Sequence, residues 1–168
     1  MIKKYKQFMP SIGKDCYIFP QAVLLGNVEI GNQCIIYPSA VIRGEGNKAT
    51  IGNGTNIQEN SCIHTEIGID VTIGNHVTVG HNAIVHACKV EDNCIIGMGA
   101  IIQNHAVIER NCIIGAGSAV PQNMVVPEGH IAYGVPAKII RKITPEDYKE
   151  IVDSAKEYQQ YREELLKE

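Results

Sequence analysis

Residues 90–126 read VEDNCIIGMGAIIQNHAVIERNCIIGAGSAVPQNMVV, and the spacing of their aliphatic side chains decides the fold. Val90, Ile96, Ile102, Ile108, Ile114, Val120 and Val126 recur every six residues. Small residues stand four places after several of them, at Cys94, Ala100, Ala106 and Cys112. A helix needs apolar spacings of three and four, and a half-buried strand needs strict alternation. A period of six fits neither. It fits a triangular solenoid in which each hexad forms one flat side, three hexads close a coil of 18 residues, and the aliphatic side chain points inward.

The same period runs upstream. Ile12, Ile18, Leu24, Ile30, Ile36 and Ile42 form one run, Ile51, Ile57 and Ile63 a second, and Ile73, Val79 and Val85 a third. Cys16, Ala22, Cys34, Ala40, Thr55, Ser61 and Ala83 continue the small-residue position. The nineteen hexads predict about six coils, paired at about 4.8 Å. Asn and Gly crowd the positions after the inward residue, as in IGNQC, IGNGT, IGNHV and IGAGS, where sharp corners would call for left-handed backbone. The six-residue pattern is characteristic of left-handed parallel β-helices, and that likeness, not the period, supplies the handedness.

Composition agrees with this reading. Hydrophobic residues are 45% of the 168, Phe occurs twice and Trp never, which favours β structure packed by branched aliphatics. Each inward aliphatic contributes on the order of 1.5–3 kcal/mol when fully buried, so the core needs no metal to fold. A net charge of −3 gives no electrostatic footprint for nucleic acid or an anionic membrane. No basic segment precedes an apolar one and no run is long enough to span a bilayer, so the chain reads as cytosolic. Six cysteines without C-x-x-C spacing suggest neither a disulfide framework nor a zinc ribbon. Cys16 and Cys34, and likewise Cys94 and Cys112, are one coil apart, which predicts stacking as small hydrophobes.

The tail, TPEDYKEIVDSAKEYQQYREELLKE, changes character. Thr144 as N-cap, Pro145 at the first helical position and Asp147 three residues on predict a helix. Tyr148, Ile151, Ala155, Tyr158 and Leu165 form its apolar stripe. The expected organisation is a β-helix over residues 1–143 and a C-terminal helix over 144–168, packed on the solenoid or on a neighbouring chain.

Four of the six histidines fall between residues 64 and 86. Two phase breaks, three extra residues near 45–50 and four within 65–72, convert sequence separation into position. Arg43, His64 and His86 are then one coil apart, each one place after an inward aliphatic, and form a column. Glu59 and His81 form a second column on the preceding side, with Gln58 beside Glu59. His64 and His86 can share a metal, with ring nitrogens about 2.0–2.1 Å from it. His81 projects from a different side, and a threefold arrangement of chains would bring one chain's second column against another's first. His76, His105 and His130 are assigned no role.

At these residues the sequence resembles the gamma-class carbonic anhydrases and their hexapeptide-repeat relatives, over nearly the whole chain. VIRGE, NIQEN, CIH and VGHNAIVHACKV carry the resemblance, continuing into IIGMGAIIQNHAVI and IIGAGSAVPQN. It implies a homotrimer with metal between subunits, held by His64 and His86 of one chain and His81 of its neighbour. Gln58 would hydrogen-bond the metal-bound water, and Arg43 would join an intersubunit charge network. Where the family typically reads R-G-D and Q-D, this chain has Glu45 and Glu59, each longer by one methylene. Both are candidates for orienting ligands or transferring protons. The implied activity is reversible hydration of CO2 to bicarbonate, with zinc, iron(II) or cobalt(II) at the three imidazoles. Two rivals stand beside it: a hexapeptide-repeat acyltransferase using acyl-CoA, which YGVPAKIIRKI suggests, and a metal-stabilised trimer without turnover.

Overall fold

A computed structural model describes residues 1–167, as a left-handed parallel β-helix of about seven turns followed by one helix. Glu168, the last residue of the expected helical segment, lies outside the described residues. Each of the three faces stacks seven parallel rungs. The first face runs from Ile2–Lys3 through the leading halves of Val23–Ile30 and Val41–Ile51 to Cys62–His64, Ile84–His86, Ile101–Ile102 and Ala119–Val120. Ile2–Lys3 at one end and His130–Gly134 at the other extend the stack beyond the hexads, giving one more turn than the hexads predict. Ala137–Lys142 then pairs antiparallel on His130–Gly134 and closes that edge.

The inward column is as the period requires. Leu24, Ile36, Ile42, Ile57, Ile63, Val85, Ile96, Ile102, Ile108 and Ile114 are fully buried and belong to one core. Cys34, Cys94 and Cys112 are buried in the small-residue position, and Cys16 is half-buried. The Cys34 amide donates to Cys16 Sγ at 3.4 Å, so that pair stacks across adjacent coils. Burial pushes the Cys88 thiol up to about 12, which keeps it an inert space-filler at neutral pH.

The corners differ from expectation in one respect. Left-handed backbone falls three places after the inward aliphatic, not immediately after it. Gln33, Ser39, Asn60, His76, Asn82, Asn93, His105, Asn111 and Asn123 all have φ between 53° and 63°. His76 and His105 are therefore corner residues. The glycine immediately after the aliphatic serves another purpose: a Cβ on Gly52 would lie 2.5 Å from the backbone of Gly74 one coil on. The Asn that follows it builds a ladder, with Asn53 Oδ1 accepting from the Asn32 amide and Asn75 Oδ1 from the Asn53 amide.

Ser39, with φ of 62°, offers a clean test of this corner rule. Ser39→Val should cost about 1–2 kcal/mol, whereas Ser39→Gly should be neutral or stabilising. Urea denaturation midpoints read the difference, and a valine variant as stable as the parent would remove the rule.

The helix spans Pro145–Leu165 with a capping box between Thr144 and Asp147, as the sequence requires. It lies on the third face of its own solenoid, the one stacked from Tyr17–Ile18, Ile35–Ile36, Asn56–Ile57 and Thr78–Val79. Ile151 and Ala155 are buried, and Tyr158 packs edge-to-face on Tyr37 at 5.9 Å. Tyr148 is exposed, which removes it from the predicted stripe. Its place as an anchor is taken by Arg162, buried at 4% exposure and donating to the Asp15 carbonyl at 2.7 Å. An arginine stem covers apolar surface as well as an aliphatic side chain does, a use that a polar label conceals.

Candidate metal centre

Strand pairing builds the first column. Arg43 pairs with His64, and His64 with His86, on three consecutive rungs of the first face. The insertions expected at 45–50 and 65–72 are accommodated without disturbing that register. Val41–Ile51 crosses from the first face to the second as one continuous strand, and the other insertion folds back through paired Glu66 and Ile69.

The two imidazoles converge. His64 Nδ1 lies 3.0 Å from His86 Nε2, with ring centroids 5.0 Å apart and planes tilted by 57°. Two nitrogens on a tetrahedral zinc at about 2.05 Å stand about 3.3 Å apart. The pair thus needs to open by only a few tenths of an ångström to hold an ion. Burial, then the Arg43 and His86 charges, lower the His64 pKa below the ordinary imidazole value, with Glu45 opposing them. A neutral ring at neutral pH is the form that ligates.

The remaining ring nitrogens also have partners. His64 Nε2 is 3.5 Å from Glu45 Oε2, and the same oxygen accepts from Arg43 Nη1 at 2.5 Å. His86 Nδ1 is 2.6 Å from Asn104 Oδ1. A ring that donates one N–H to an oxygen directs the lone pair of its other nitrogen outward.

The second column is equally ordered. His81 Nδ1 is 2.7 Å from Glu59 Oε2, so the carboxylate accepts its proton and His81 Nε2 keeps its lone pair, with no partner among the described residues. Gln58 is buried at 4% exposure and held at both ends of its amide. Its Oε1 accepts the His81 backbone N–H at 3.2 Å, and its Nε2 donates to Asn56 Oδ1 at 3.2 Å. Asn56 in turn donates to Thr78 Oγ1, which touches Ser154 of the helix. His81 does not join the His64–His86 pair within the chain. Among the described residues no group of three or more His, Cys, Asp or Glu side chains could hold a metal.

Sequence reasoning missed Asn104 and Asn56. Both carried a signal. Asn104 stands 18 residues after His86 on the coil where the phase slips by one, and Asn56 occupies a position where the neighbouring rungs carry Ile35 and Thr78. Among the described residues no helix is long and apolar enough to cross a membrane.

The chain matches the bacterial transferase hexapeptide (six repeats) family over residues 9–44 and 87–122. It is 41% identical to gamma carbonic anhydrase 2, mitochondrial, of Arabidopsis thaliana over 89% of its length, and spans 56% of that longer protein. It is 41% identical to a probable carbonic anhydrase of Methanocaldococcus jannaschii, with 92% of this chain and 97% of that protein covered. Among solved structures it is similar to a hexapeptide transferase family protein from Anaplasma phagocytophilum. That likeness has a TM-score of 0.93 and 36% identity over 96% of both chains. By identity and coverage, the chain belongs to the gamma-class carbonic anhydrase-like family of hexapeptide-repeat proteins.

Proposed function

We propose that this protein is a metal-dependent carbonic anhydrase, hydrating CO2 reversibly to bicarbonate at sites shared between the subunits of a homotrimer. The single observation carrying the proposal is the 3.0 Å convergence of His64 Nδ1 and His86 Nε2; on the adjoining side His81 commits Nδ1 to Glu59. Two ligands from one chain and one from the next would leave the fourth tetrahedral position for solvent. Zinc, iron(II) or cobalt(II) each suit neutral imidazoles, and the bound ion supplies the Lewis acidity that makes hydroxide available at neutral pH.

The chain's own residues then have defined tasks. Arg43 holds Glu45 in place, and Glu45 accepts from the ring of His64 once Nδ1 is given to the ion. Glu59 fixes the His81 tautomer, and Gln58 fixes the His81 backbone. Glu45 is the carboxylate nearest the converging rings and the candidate to carry a proton away from the site. The association rests on the first face, where outward Ile84 and Ile101 are 38% and 39% exposed beside the histidine column. The six free thiols support a reducing compartment such as the cytosol.

A second reading, acyl transfer from acyl-CoA, is favoured by the transferase name of the similar Anaplasma protein. Stopped-flow CO2 hydration by protein loaded with zinc, cobalt or iron, alongside acetyl-CoA binding, separates the two. Hydration that tracks metal content and disappears with chelator supports the proposal. Saturable acetyl-CoA binding with no hydration would replace it, and metal uptake with neither activity would leave a metal-stabilised scaffold.

A further inference from the structure

We propose that Asn104 is the positioning residue that sets the tautomer of His86, so that the His86 Nε2 lone pair faces the ion. The inference rests on the metal-site reading above. His86 Nδ1 lies 2.6 Å from Asn104 Oδ1, and an amide oxygen only accepts. The proton of a neutral His86 is therefore held on Nδ1, and Nε2, 3.0 Å from His64 Nδ1, keeps its lone pair.

The placement of Asn104 is built into the backbone. The hexad phase slips by one residue between Val85 and Val90, and Ala87 turns the corner there with φ of 45°. The His105 amide donates to the Ala87 carbonyl at 2.8 Å, clamping the residue after Asn104 to the residue after His86. From the other side the Asn104 carbonyl accepts the Asn123 amide at 3.1 Å. Asn104 is thus fixed on both sides by backbone hydrogen bonds before its side chain engages the ring. His81 solves the same problem with a carboxylate, Glu59. The two histidine partners therefore differ by a full charge, and the neutral one leaves its imidazole the weaker donor.

The test is direct. Long-range 1H–15N spectra of the metal-free protein report which nitrogen of His86 carries the proton, and chelator competition reports zinc affinity. The parent should show His86 protonated at Nδ1. Asn104→Asp keeps an acceptor, and should retain that tautomer and bind zinc at least as tightly. Asn104→Leu should move the proton toward Nε2 and weaken zinc binding by about 10–100-fold, with an unchanged circular dichroism spectrum. A parent protonated at Nε2 overturns the proposal, as does a leucine variant with unchanged tautomer and affinity. Should the leucine variant fail to fold, the parent and aspartate spectra still decide. Absence of CO2 hydration with tautomer and zinc binding intact overturns the proposed activity and leaves the role of Asn104 standing.

Discussion

His64→Ala chains and His81→Ala chains, each prepared alone, should bind zinc more than about 100-fold more weakly than the parent, because a lost ligand costs more than a lost ligand partner. Refolded together in equal amounts, they should recover about a quarter of the parent's sites. The fraction follows from the proposed sharing of each site between two chains. A site is intact only where the first column comes from a His81→Ala chain and the second from a His64→Ala chain, and random mixing in a ring satisfies each condition half the time. His64 and His86 sit in register on one face, while His81 engages Glu59 on another, so no chain repairs its own site. Metal content per chain and hydration rate should recover in the same proportion. Mixed trimers, verified by mass, that recover no metal would remove the shared site, and a His81→Ala chain with parental affinity would remove its third ligand.

Ile63→Ala should cost about 2–5 kcal/mol and also impair metal binding. Ile63 is fully buried between Ile42 and Val85, and it immediately precedes His64. Removing its side chain leaves a cavity directly beneath the rung that carries the candidate ligand His64, and a solenoid core cannot collapse around it without changing the spacing of rungs. Ile108→Ala is the control, since Ile108 is equally buried on the second face, away from the column. Chemical denaturation should give a similar loss for both variants. Zinc affinity should fall only in the first. Equal affinities would mean that the ligand rung is held by its backbone ladder alone.

The histidine column was legible because the fold is nearly one-dimensional. In a solenoid the hydrogen-bonded ladder ties each residue to the one a coil away, so counting by 18 with the two insertions brings Arg43, His64 and His86 together without coordinates. Burial was legible for the same reason: the inward position repeats, and nearly every residue at it is excluded from solvent. The corner conformation was misplaced because Gly is used for two different purposes. At Gly52 it admits the backbone of the next coil, while three places after the inward residue the requirement is a positive φ, met most often by Asn. Both needs select small or polar residues, and composition alone does not separate them.

The tail divides in the same way. Its N-terminus was readable because Thr144, Pro145 and Asp147 act within one turn of each other. Which residues anchor it was not, since Arg162 is buried by meeting the Asp15 carbonyl, 147 residues earlier in the chain.

By itself, then, the sequence determined the six-residue period, the inward core and the vertical register of the candidate ligands, all properties of a repeating ladder in which position follows from count. Only the tertiary structure decided where each ring nitrogen points, that Gln58 is spent on the His81 backbone, that Asn104 faces His86, and that the helix seats on the third face of its own solenoid. Those outcomes depend on side-chain rotation and on hydrogen bonds between coils at corners where the period slips, and a distance of a few ångströms there is set by backbone geometry that no residue count contains.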